Sequence, residues 1–259
     1  MSAQRHDERA RWLREYHASR RAAPRLVCFP HAGGSASWYH PMSHALAPDV
    51  SVLAVQYPGR QDRRGEVPLD DVGAIARQVA PLVADLPGGP PALFGHSMGA
   101  LVAFEVARLM TGKHDEAPAH LYVSGRRAPD RHRSEAVHLM DERGLLAEVA
   151  ALGGTGAANL RDRDLVAMVL PPLRADYRAV ETYRHTPGEP LTCPVTVLTG
   201  DADPKTTAAE AEGWREHTTG AFDLRVYPGG HFFLTDHQAE VLDLLRGGLT
   251  RARRSVHAD

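Results

Sequence analysis

The chain has little cysteine: its 259 residues include two, Cys28 and Cys193. Cys28 falls inside an apolar run and Cys193 just before another, so a disulfide framework is excluded and a reducing, cytoplasmic setting is expected. Cys28 reads as a small buried hydrophobe. No apolar run of about eighteen residues occurs, which leaves no candidate membrane span. Met1 to Arg14 is polar and Arg-rich with no apolar stretch behind it, so no signal peptide is expected. Charge of one sign is also missing. Thirty Lys and Arg stand against 32 Asp and Glu, a net charge of −2, which argues against a nucleic-acid partner. Repeats, low-complexity tracts, zinc-ligand spacings and Gly-rich phosphate loops are absent as well. His40 and His44 are spaced i,i+4 but lack a third ligand, and read as residues of a surface helix. Neither a metal nor an organic cofactor is expected.

Apolar residues make up 43% of the chain, enough for a sizeable core, and the length suits one large domain or a core with an insertion. Short apolar, β-branched runs recur at Arg25–Phe29, Val50–Tyr57, Ala92–Gly95, His120–Ser124, Pro194–Thr199 and Phe222–Tyr227. Helical patterns separate most of them, at Val72–Leu86, Ala100–Met110, Ala208–His217 and Ala239–Arg251. This alternation predicts an α/β fold, a mostly parallel central sheet flanked by helices on both faces. One stretch breaks the rhythm. Residues 126–189 carry no strand pattern, only helical patterns over Glu142–Leu152 and Asp162–Tyr183, with loops expected at Gly153-Gly154-Thr155-Gly156 and Pro171-Pro172. Residues 1–125 and 190–259 are therefore read as the core and 126–189 as a helical lid insertion. The basic tail Arg251–Asp259 is expected to fray.

Gly95-His96-Ser97-Met98-Gly99 sits where the strand Pro91–Phe94 runs into the helix beginning at Ala100. A G-x-S-x-G at such a junction is the nucleophile elbow of an α/β-hydrolase. The serine takes a strained turn that lifts its hydroxyl off the sheet, and glycines two residues either side avoid collisions with neighbouring elements. A serine hydrolase also needs a base, an acid to orient it and two oxyanion donors. In this fold the acid follows a later strand and the histidine the last one. The run ending Leu198-Thr199-Gly200 is followed by Asp201-Ala202-Asp203-Pro204, and the run ending Val226-Tyr227-Pro228 by Gly229-Gly230-His231. Asp201 and Asp203 compete for the acid. Asp203 is favoured, because Pro204 fixes the chain behind it and Asp201 is better placed to cap the turn. His231 is the base. His96 adjoins the serine but is expected to point away from it and to pack. The oxyanion donors are assigned to the N–H groups of Met98 and of Ala32, in the small-residue loop Phe29-Pro30-His31-Ala32-Gly33-Gly34-Ser35.

Taken jointly, several stretches resemble type II thioesterases, the stand-alone hydrolases of polyketide and nonribosomal peptide assembly lines. They are Leu26–Ser37, Ala54-Val55-Gln56-Tyr57-Pro58-Gly59-Arg60, Phe94–Ala100, Arg174-Ala175-Asp176-Tyr177 and Gly229-Gly230-His231-Phe232-Phe233. The resemblance covers about Trp12 to Leu245 and implies a substrate, an acyl thioester on the phosphopantetheine arm of an acyl or peptidyl carrier protein. It implies an editing role, clearing stalled or misprimed acyl groups, and a transient carrier partner. A monomer is expected. Leu165, Met168, Val169, Leu173 and Val180, at helical spacing in the insert, are candidates to line an acyl pocket. Arg126 and Arg127, followed by Arg131 and Arg133, form a local basic cluster expected to dock an acidic carrier. A small-molecule carboxylesterase and a non-catalytic carrier-binding module are the alternatives. The complete Ser–Asp–His order argues against a mere binder.

Overall fold

The computed structural model describes residues 2–114, 116–153 and 163–256. Seven strands form one sheet: β1 (Leu13–Glu15), β2 (Arg25–Phe29), β3 (Ser51–Val55), β4 (Ala92–His96), β5 (His120–Ser124), β6 (Val195–Gly200) and β7 (Phe222–Tyr227). Their spatial order is β1-β3-β2-β4-β5-β6-β7, with β1 antiparallel to β3 and every other pairing parallel. The chain thus builds outward in one direction from β2 to β3, then crosses back to β4 and continues the other way. The reversal leaves a crevice at the carboxyl ends of β2 and β4, where ligands settle in open α/β sheets.

Both faces of the sheet are covered, which is why its strands are apolar almost throughout rather than alternating. Val27 and Phe29 of β2 face a core shared with helices α3 (Val72–Ala84) and α4 (Met98–His114). Leu26 and Cys28 face the other core, with α2 (His40–Leu46) and α9 (Gln238–Val256). Cys28 is buried beside Met42, and burial pushes its thiol up, as befits an inert packing residue. Asp71 caps α3, accepting the Ala74 N–H at 2.6 Å.

Between β5 and β6 the described residues contain no strand. They hold a short turn of helix at Val137–Leu139, then α5 (Glu142–Ala151) and α6 (Arg163–Thr182). Val137, Leu145, Leu173 and Tyr177 form a small core of their own, against which Ala32 packs. The short helices α7 (Ala208–Glu212) and α8 (Phe233–Asp236) follow β6 and β7, and α7 opens on a capping box between Thr207 and Glu210.

Three points of the sequence reading need correction. Pro171-Pro172 is not a loop but lies inside α6; the turn after it is held by burial of Leu173, Asp176 and Tyr177, which offsets the lost backbone bonds. The helix read as ending at Arg251 runs on to Val256. A helix α1 (Ser2–Trp12) and the three-residue strand β1 open the chain; so short a strand offers no period to read. Of the glycine loop after α5, Gly153 has φ +76°, while Gly154, Thr155 and Gly156 lie outside the described residues. No helix among the described residues is long and apolar enough to cross a membrane.

Candidate active site

Ser97 joins β4 to α4 with φ +55°, a left-handed conformation that a side chain adopts only when its surroundings enforce it. Here the Ser97 N–H donates to the Ser124 carbonyl of β5 at 2.8 Å. The flanking glycines have a direct steric reason. A Cβ on Gly95 would lie 2.2 Å from the Gly99 carbonyl oxygen, and one on Gly99 would lie 1.9 Å from the Phe29 carbonyl oxygen. The turn is tight enough that two main chains touch through the missing side chains.

His231 follows β7 and the Gly229-Gly230 turn, and Asp203 follows β6. The Ser97 Oγ to His231 Nε2 distance is 3.0 Å, and His231 Nδ1 lies 3.0 and 2.9 Å from the two Asp203 carboxylate oxygens. A carboxylate only accepts, so Nδ1 carries the hydrogen and Nε2 is left to accept from the serine hydroxyl. Asp203 is steadied in turn by the Lys205 N–H at 2.8 Å. Asp201 does a different job. It is exposed, and its Oδ1 accepts the Gly229 N–H at 2.9 Å, bracing the turn that carries His231.

Met98 is the first residue of α4, where an N–H has no acceptor within its own helix. In the facing loop Gly33 N–H donates to Asp176 at 2.7 Å and Gly34 N–H to the His31 carbonyl at 2.9 Å. Among the described residues the Ala32 N–H has no such acceptor.

A family model described as "Thioesterase domain" matches residues 24–248. The chain belongs to the thioesterase family. It is 52% identical over 253 residues to a probable cadicidin biosynthesis thioesterase of Streptomyces griseus, covering 98% of this chain and 68% of that one. It is 50% identical over 233 residues to thioesterase PikA5 of Streptomyces venezuelae, covering 89% and 82%. The solved type II thioesterase BorB from the borrelidin cluster superposes with a TM-score of 0.87 at 49% identity, over 92% of this chain and 98% of that one. The sheet and its flanking helices are those of the α/β-hydrolase fold.

In this thioesterase the stretch Gln56–Arg60 and the stretch Arg174–Tyr177 prove to act on one loop. Gln56 accepts the Ala36 N–H at 2.9 Å and donates to the Arg60 carbonyl at 3.2 Å. Arg60 donates to the Gly34 carbonyl at 2.9 Å and, through two nitrogens, to both oxygens of Asp176 at 2.8 Å. Asp176, fully buried on α6, is also the acceptor for Gly33. The loop bearing Ala32 is thus pinned from both the core and the insert. Sequence reasoning carried these residues only as part of a resemblance, because two charges 116 positions apart share no local signature.

A cavity of about 470 Å³ opens at Ser97 and His231, walled by Trp38 and Phe232 on the core side and by Leu165, Val169, Leu173 and Tyr177 of α6. Of the apolar insert residues singled out in the sequence, Leu165, Val169 and Leu173 line this cavity. Val180 lines a smaller one beside Ser97, and Met168 is exposed. His96 packs, as expected. It is buried with its ring centre 5.0 Å from that of His231, stacked on Trp38. Burial pushes its imidazole well below the ordinary range, and pushes His31 down to about 3. Both therefore stand beside His231 as neutral rings at pH 7.

His17 supplies a third ring near His40 and His44, at 4.7 and 5.1 Å between centres. Even so, no group of three His, Cys, Asp or Glu among the described residues is arranged to hold a metal. The docking expectation for Arg126 and Arg127 is overturned. They are 8% and 2% exposed, and Arg127 is spent on Glu135 and on the carbonyls of Arg131 and Lys205. Arg131 and Arg133 are paired with Glu216 and Glu210. Arg126 and Arg127, just after the central strand β5, are buried rather than presented to solvent.

Proposed function

We propose that Ser97, His231 and Asp203 are the catalytic triad of a serine thioesterase whose substrates are acyl thioesters on the phosphopantetheine arm of carrier proteins in polyketide and nonribosomal peptide assembly. The observation that carries this reading is the continuous hydrogen-bonded chain from Ser97 Oγ through His231 to Asp203, starting from a serine held at φ +55°. His231 Nε2 takes the hydroxyl proton as Oγ attacks the thioester carbon. The tetrahedral oxyanion is met by the N–H groups of Ala32 and Met98. Its collapse breaks the C–S bond, and the pantetheine sulfur leaves with the proton from His231. Water, deprotonated by His231, then attacks the Ser97 ester, freeing the carboxylic acid and restoring the serine. Asp203 holds the imidazole tautomer and balances its positive charge.

Residues 126–189 act as the lid that shapes the acyl cavity, with residues 1–125 and 190–259 as the core. The names of relatives support the setting. Besides the cadicidin thioesterase, the gramicidin S biosynthesis protein GrsT of Aneurinibacillus migulanus is 37% identical over 236 residues. The cellular role that fits is removal of stalled or misprimed acyl groups, by a cytoplasmic monomer that meets its carrier transiently. The test is incubation with a panel of acyl-carrier proteins, followed by intact mass, alongside a fluorophosphonate. Deacylation and a single adduct at Ser97 are expected. Adduct formation at another serine, or a Ser97→Ala protein that still turns over, overturns the mechanism, since loss of the nucleophile costs about a million-fold.

A further inference from the structure

Arg126 is a buried cation that no carboxylate among the described residues touches. The chain leaves β5 through Gly125 at φ +58°, whose N–H donates to the Leu198 carbonyl at 2.9 Å. The Arg126 carbonyl accepts from the indole of the fully buried Trp214 at 2.8 Å. The backbone on both sides of the arginine is thus fixed. Its side chain, however, has no hydrogen-bond or ion-pair partner among the described residues, and its Nε is buried and unsatisfied. The nearby carboxylates are committed elsewhere. Glu135 is held by Arg127 at 2.7 Å and Lys205 at 2.8 Å, and Glu181 accepts the N–H groups of Val137 and His138 at 2.8 and 3.0 Å. Burial pushes the guanidinium down to about 9; the like charge of Arg127 adds to the effect and the more distant charge of Glu135 opposes it without cancelling it.

A buried charge left unpaired is expensive, and an acceptor brought in beside it would relieve that cost. Arg126 lines a cavity of about 40 Å³ that Ser97, His231 and Ala32 also line. The larger apolar cavity shares those three residues but not Arg126. We propose that Arg126 is a specificity-determining residue whose guanidinium receives an oxygen acceptor on the acyl chain, a keto oxygen or a carboxylate, one or two carbons beyond the thioester carbonyl. The inference rests on Ser97 being the nucleophile, because only then does the substrate carbonyl sit at the mouth of this cavity. The space admits a group of a few atoms. The phosphate of the pantetheine arm, many bonds away from the thioester, cannot be that group. The five donors of a guanidinium can serve a single keto oxygen or, bidentately, a carboxylate.

The experiment compares butanoyl, 3-oxobutanoyl and malonyl pantetheine thioesters, with kcat/KM divided by the alkaline hydrolysis rate of each. The wild-type protein is expected to favour at least one oxygenated substrate over butanoyl by about ten-fold, the scale of a hydrogen bond to a charged group. That preference should vanish in Arg126→Met and survive in part in Arg126→Lys. Preference for malonyl alone assigns the site to a carboxylate, and preference for 3-oxobutanoyl alone to a keto oxygen. A wild-type protein with no preference overturns the proposal whatever the variants do. So does a folded Arg126→Met that keeps the preference. If Arg126→Met fails to fold, the wild-type ratio and Arg126→Lys decide. No turnover of any of the three, with no adduct at Ser97, removes the catalytic reading and this inference with it.

Discussion

Asp176 on α6 and Arg60 in the loop after β3 meet as a buried two-point ion pair, both contacts at 2.8 Å. The pair does more than tie the insert to the core. Asp176 also takes the Gly33 N–H and Arg60 the Gly34 carbonyl, so the loop that carries Ala32 cannot relax while the pair is intact. Removing one partner leaves the other charge buried. Asp176→Ala is therefore expected to lower stability by about 3–5 kcal/mol. In the protein that still folds, reaction of Ser97 with a fluorophosphonate should slow as well. Urea unfolding and labelling rates check both. Unimpaired labelling in a destabilised Asp176→Ala protein would make the pair structural only.

Asp203 and Asp201 stand two residues apart and should respond very differently. Asp203 touches both the His231 ring and the Lys205 N–H. Asp203→Asn should lower kcat by about four orders of magnitude, since an amide can favour the wrong imidazole tautomer. Asp201→Asn keeps an oxygen that accepts the Gly229 N–H, so activity should stay within a few-fold. Asp201→Ala loses that bond and should cost about 0.5–1.5 kcal/mol of stability. Steady-state kinetics and thermal melts on the three variants check the ranking.

Acid should unfold the protein earlier than its carboxylates alone would require. Burial holds His31 down to about 3 and His96 well below the ordinary range. In the native chain both stay neutral, whereas in the unfolded chain both take up protons below about 6.5. The unfolded state then binds more protons, and stability falls as pH drops through that value. Two imidazoles give a slope approaching about 2.7 kcal/mol per pH unit once the unfolded rings are fully protonated. Glu66, held down to about 2 by its hydrogen bond from Arg63, adds its own loss only below about 4.5. Urea unfolding between pH 7 and 4.5 should show the decline, and His96→Asn should roughly halve its slope.

What could be read from the sequence follows from locality. That Ser97, Asp203 and His231 come together in one hydrogen-bonded chain was legible because each sits just after an apolar run, in the residue types and order such a chain needs. Strands β2 to β6 were legible within a residue or two because both faces are buried and the runs are nearly continuous, and the half-exposed β7 because Phe222, Leu224 and Val226 alternate with Asp223, Arg225 and Tyr227. β1 was not, since its three residues borrow their extended form from β3. The course of α6 through Pro171-Pro172 was hidden because local propensity says loop and only the burial of Leu173, Asp176 and Tyr177 says helix. Arg126 and Arg127 were misread for the same reason in reverse. Adjacent charges look like surface, and Lys205 and Trp214, which meet them, are 78 and 88 positions away.

If the cavity at Ser97 takes the acyl chain, as the proposed function requires, chain length becomes a test. Val169 projects from α6 into the cavity beside Leu165 and Leu173, is itself partly exposed, and belongs to none of the buried clusters. Enlarging it should therefore fill the cavity without unsettling the fold. Each methylene of an acyl chain buried against these side chains contributes about 0.8 kcal/mol, or roughly four-fold in kcat/KM. Val169→Trp should leave acetyl and propanoyl thioesters turning over near the wild-type rate. For longer chains it should remove about four-fold for every methylene that the indole displaces. The profile from acetyl to decanoyl pantetheine would then rise and flatten early, where that of the wild-type protein keeps rising. Leu173→Ala offers the opposite test, with a wider cavity and a gain confined to bulkier chains, although the lost packing against Gly33 should cost stability too. Superimposable profiles for the wild type and Val169→Trp would mean that the acyl chain lies elsewhere, and that α6 covers the active site without measuring its substrate.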